Sequence, residues 1–155
     1  MPSWSVHRAL ARRFLRERAG CEAPGGVDSS LIDLLVDEPG ALVSRLREAL
    51  PRSSALLALL LLDEKLRPED PVMEHDWGAW ARCRASVEAL RRASEALAGG
   101  LGRMLVDLHL ALDYAWKGGG LREFLEWAEE VGIAPEVVDF VVREVLRGRR
   151  SEVKA

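Results

Sequence analysis

The sequence predicts an all-α fold, a single compact helical domain of about seven to eight helices. Three observations predict it. No stretch alternates apolar and polar residues over the length of a strand, and β-branched residues other than valine are few. Apolar residues recur at helical spacing through most of the chain. Prolines and glycine pairs cut the chain into segments of helical length. With 155 residues the chain fits one domain, expected over 1–148, followed by a basic tail at 149–155 that is expected to be disordered.

The first helix runs from an N-cap at Ser3 to Arg18. Val6, Leu10 and Phe14, with Trp4 and Leu15, form its apolar stripe, and Arg8, Arg12, Arg13, Arg16 and Arg18 its solvated side. Gly20, Pro24, Gly25 and Gly26 then break the chain. The second helix opens at Asp28 or Ser29, carries Leu31, Ile32, Leu34, Leu35 and Val36, and stops at Pro39-Gly40. The third covers Ala41 to Leu50 and is closed by Pro51. The fourth begins at Ser53 or Ser54 and runs to about Leu66; Ala55 to Leu62 are apolar all round, so it is expected to be central.

A polar loop, Arg67 to Val72, leads to the fifth helix, Glu74 to Leu97, which ends at Gly99-Gly100. Arg82, Arg84, Arg91 and Arg92 alternate there with Glu88 and Glu95 and read as a solvated face. The sixth helix covers Leu101 to Lys117, with Leu101, Met104, Leu105, Leu108, Leu112 and Trp116 inward. After Gly118-Gly119-Gly120, the seventh spans Leu121 to Val131 with Gly132 as its C-terminal stop. Pro135 suits the first position of the eighth, which runs to Leu146 with Val138, Val141, Val142 and Leu146 apolar.

Composition excludes several function classes. The longest apolar run has eight residues, well short of the roughly 18 that a membrane span needs. With no charged-then-apolar leader at its start, the chain is expected to be cytoplasmic. Net charge is −3, which argues against a nucleic-acid partner. Cys21 and Cys83 form no paired-cysteine motif, which rules out a zinc ribbon; a disulfide and two separate thiols both remain open. There is no Asn, Gln or Thr, and arginine outnumbers lysine nineteen to three. That bias suits a heat-adapted prokaryotic protein, although a GC-rich genome gives part of it.

The chain has three histidines, His7, His75 and His109. His75 is followed at once by Asp76, and His109 is followed four residues later by Asp113, a spacing that stacks both on one helical face. Imidazole and carboxylate are the ligand types of Mn, Co, Ni, Fe and Zn. One such divalent ion is held by His7, His75, Asp76 and Asp113 if the first, fifth and sixth helices converge, with His109 as an accessory.

The order of these residues resembles that of the HD-domain superfamily, all-helical metal-dependent phosphohydrolases. A histidine on the first helix, a His-Asp doublet on a later one and a lone aspartate beyond it match the family's ligand order. The doublet reads His75-Asp76-Trp77-Gly78, with the family's glycine two after the aspartate. The resemblance implies one divalent metal and a phosphorylated small molecule as substrate. Ala79 replaces the lysine common after that glycine, and Pro71 and Glu74 stand where an apolar run is usual, so a decayed relative falls within the same expectation.

A structural reading stands beside it. His75 then sits on an exposed first turn, His109 and Asp113 form a pair that steadies one helix, and His7 lies on the surface among arginines. The function expected in that case is a non-enzymatic helical interaction module, a homo-oligomer or a partner-binding protein, acting through an apolar surface that contains Trp77 and Trp80.

Overall fold

The computed structural model describes residues 3–20, 84–116 and 119–147. The second, third and fourth predicted helices, both cysteines, His75, Asp76, Trp77, Trp80 and the basic tail lie outside the described residues. Within them the chain is helical and has no strand, in agreement with the all-α expectation.

Helix α1 is Trp4–Ala19. Ser3 holds the extended N-cap backbone, but its hydroxyl pairs with that of Ser5 at 2.8 Å and caps no amide. Gly20 ends the helix at φ 66°, where its N–H reaches the Arg16 carbonyl. The buried face is His7, Ala11, Phe14 and Leu15, whereas Val6 and Leu10 are half-buried. The face is thus turned from the predicted stripe, because His7 finds polar partners inside that outweigh its cost of burial.

Helix α2, Arg84–Trp116, folds back on itself at Gly99. The predicted stop at Gly99-Gly100 is this bend. Gly99 has φ 69° and ψ −159°, a region essentially reserved for glycine. Contacts on either side of the bend pair residues at growing separation. Ser94 Oγ donates to the Gly102 carbonyl at 2.6 Å. Further out, Arg103 reaches Glu95 and Glu88 at 3.3 and 2.9 Å. Arg91 meets Asp107 at 2.7 Å. Residues 84–98 and 100–116 are therefore the two arms of an antiparallel hairpin. A Cβ on Gly102 would lie 2.2 Å from the Ser94 carbonyl oxygen, so the arms touch backbone to backbone there.

Helix α3, Leu121–Val131, buries Phe124, Trp127, Ala128 and Val131 and stops at Gly132, φ 79°. Helix α4, Pro135–Val141, begins with proline, as expected, and continues as a π-helical segment, Val142–Leu146. Its buried residues are Val137, Phe140, Val141 and Val145. Helix α2 contacts every other described element. Every residue from Leu105 to Asp113 is buried, so the second arm is the centre of the described core.

One charged residue departs from its expected place. Arg91, read as part of a solvated face, is only 9% exposed. Its Nε donates to Asp107 Oδ1 at 2.7 Å, and a terminal nitrogen donates to the carbonyls of Val131 and Gly132 at 3.2 Å each. Asp107 Oδ2 accepts the Ala134 N–H at 3.1 Å. The cause is the end of α3, whose last carbonyls need donors. The guanidinium supplies them and the carboxylate compensates its charge. Helix α1 is held to α4 by the Phe14–Phe140 edge contact, centroids 5.3 Å apart. Ion pairs of Arg13 with Glu144 and of Glu17 with Arg143 flank that contact. Among the described residues no helix is long and apolar enough to cross a membrane.

Candidate metal centre

His7 sits on the first turn of α1. His109 and Asp113 sit one turn apart on the second arm of α2. The docking of α1 across that arm brings together residues 106 positions apart in sequence. All three are buried, at 2%, 1% and 2% exposure for His7, His109 and Asp113.

Asp113 meets a ring nitrogen of each imidazole, one through each carboxylate oxygen. His7 Nε2 is 2.8 Å from Oδ1, a hydrogen bond. His109 Nε2 is 3.3 Å from Oδ2, within ion-pair distance but without hydrogen-bond geometry. The two rings are stacked, with centroids 4.1 Å apart and planes 8° from parallel. One donor atom from each residue lies within 4.8 Å of the others, and the group could hold a metal ion. Adjacent donors around an ion with ~2.1 Å bonds stand about 3.0 Å apart in an octahedron and about 3.4 Å in a tetrahedron. The His7 Nε2–Asp113 Oδ1 separation falls close to the first of those values.

The electrostatics favour a cation. Burial alone would raise the Asp113 carboxyl, but its contacts with His109 and His7 outweigh burial and hold it down to about 2. It is therefore ionised at neutral pH, beside two imidazoles that are uncharged when singly protonated. Two acceptors in the cluster, His7 Nδ1 and Asp113 Oδ2, have no hydrogen-bond partner. His7 Nδ1 lies across the ring from Asp113, so the His7 atom that would share an ion with the carboxylate is Nε2, in place of the proton it now donates. A buried carboxylate oxygen without a hydrogen-bond partner is costly, and a cation bound at Asp113 removes that cost.

The structure therefore brings His7, His109 and Asp113 together, while His75, Asp76, Trp77 and Trp80 lie outside the described residues. His109 contacts both other members, closer to the centre than its accessory place in the sequence reading. The four-residue step from His109 to Asp113 is the signal that could have raised it. Comparison with protein-family models, with curated proteins and with solved structures gave no match for this chain.

Proposed function

We propose that this chain is a divalent-metal-binding helical protein whose centre is built on His7 and Asp113, and that its chemistry is hydrolysis of a phosphoester. The observation that carries the metal is the buried, ionised Asp113, contacted by two imidazoles and with its Oδ2 lacking a hydrogen-bond partner. Nitrogen and oxygen donors without a thiolate favour Mn, Fe, Co, Ni or Zn.

The reaction rests on the HD-superfamily order of His7, His75-Asp76 and Asp113. In this reading the doublet completes the ligand set. A bound divalent ion would supply a water of lowered pKa and Lewis-acid polarisation of a phosphoryl oxygen. His7 and Asp113 would hold it, and the buried wall of the second arm would exclude competing solvent. A phosphorylated small molecule is the substrate class, with a decayed, inactive relative as the limiting case.

A second reading is favoured by the burial of all three side chains. There the ion only ties α1 to α2, and the chain is a non-enzymatic interaction module. Hydrolysis of p-nitrophenyl phosphate and of nucleoside phosphates with added Mn, Co or Ni separates the two. Turnover that disappears in Asp113→Ala supports the hydrolase. Metal binding without turnover on any of these substrates sinks it and leaves the structural ion.

A further inference from the structure

His7 and His109 cannot both ligate one ion in the arrangement they hold. A metal lies in the plane of the imidazole that binds it, about 2.1 Å along the nitrogen lone pair. The two ring planes are 8° from parallel, face to face. Faces in van der Waals contact are about 3.5 Å apart. An ion in the plane of one ring therefore stands far out of the plane of the other. Closeness of the nitrogens does not make both of them ligands.

Two observations separate the roles. His7 meets the carboxylate through a hydrogen bond whose proton a cation between Nε2 and Oδ1 would replace, whereas His109 makes no such bond to the carboxylate. His7 comes from a different helix, and its Nε2 is 2.8 Å from Oδ1 of Asp113. His109 stands one turn before Asp113 on the same arm, so the helix itself fixes its distance to the carboxylate. Its ring covers the face of His7, and its Nε2 lies 3.3 Å from Oδ2.

We propose that His109 is a positioning residue of the metal centre. Its stacked ring fixes the plane of the His7 imidazole, its Nε2 fixes the rotation of the Asp113 carboxylate, and it stays outside the coordination sphere. The assignment rests on the metal reading above. Groups that orient ligands in this way change metal affinity by roughly 10–100-fold without changing the ligand count.

The test is Co(II) titration of the full chain without a histidine tag, followed by visible absorption, with circular dichroism confirming each variant's fold. Wild type is expected to take up about one equivalent and to show ligand-field bands. His109→Ala is expected to take up the same amount with the same bands, bound about 10–100-fold more weakly. His109→Phe keeps a flat ring on His7 but no nitrogen, and is expected to lose less affinity; it carries the comparison if His109→Ala does not fold. His7→Ala is expected to bind no cobalt. Shifted bands or a lost equivalent in the His109 variants would make His109 a ligand and overturn the assignment, and so would affinities equal to wild type. Failure of wild type to bind cobalt is a different result, and it would remove the metal reading itself.

Discussion

At the residue scale, Asp113 joins charge, burial and stability. Its carboxyl is held at about 2, below its unfolded value near 3.9. A depressed carboxyl contributes stability that is present above the unfolded value and is lost as pH falls through the folded one. The difference corresponds to ~2–3 kcal/mol, lost between about pH 4 and pH 2. Urea unfolding from pH 5 to 2 is expected to show this loss in wild type and not in Asp113→Asn; parallel pH profiles would contradict it. In the sequence this residue was visible as one half of a His-Asp step on a helix. Its partner His7 was visible only as a candidate, because Val6 and Leu10 offered α1 an equally regular apolar stripe. Which face turned inward depended on a carboxylate 106 residues away, and no local pattern carries that information.

At the element scale, the hairpin of α2 turns on two glycines and one buried ion pair. Gly99 holds a backbone conformation that a Cβ opposes, so Gly99→Ala is expected to destabilise by about 1–3 kcal/mol in denaturant unfolding. Gly102→Ala must push the arms apart at Ser94, and it is expected to lower the melting temperature as well. The bend itself was legible, because a glycine pair interrupts two apolar periods. The clamp at Arg91 was not. A buried arginine and an exposed one look alike in a charged helical pattern, and Asp107 lies 16 residues further on. Asp107→Leu strands the guanidinium and is expected to cost ~3–5 kcal/mol, with Arg91→Met/Asp107→Leu regaining most of it. A double variant no more stable than Asp107→Leu would show that the clamp's worth lies in its bonds to Val131, Gly132 and Ala134 and not in the pairing of charges.

At the scale of the whole molecule, the described core is a helical hairpin with α1 and α4 packed against it and against each other, and α3 against its side. Helix class followed from periodicity, and α3 and the start of α4 followed from Gly132 and Pro135. Tertiary centrality did not follow in the same way. The sequence assigned it to Ala55–Leu62 on uniform apolarity, outside the described residues. Within them, the second arm is buried although it carries Asp107, His109 and Asp113. Polar residues in a central helix are tolerated when they satisfy one another, and here they do so at the clamp and, in part, at the His–Asp–His cluster. The partial satisfaction of that cluster is the basis of the functional reading. Metal analysis of untagged protein, for wild type, His7→Ala and Asp113→Ala, tests it most directly. About one equivalent of a divalent transition metal in wild type, lost in both folded variants, is the predicted result. Metal-free wild type after incubation with Mn, Fe, Co, Ni and Zn, or metal retained in both variants, would contradict it.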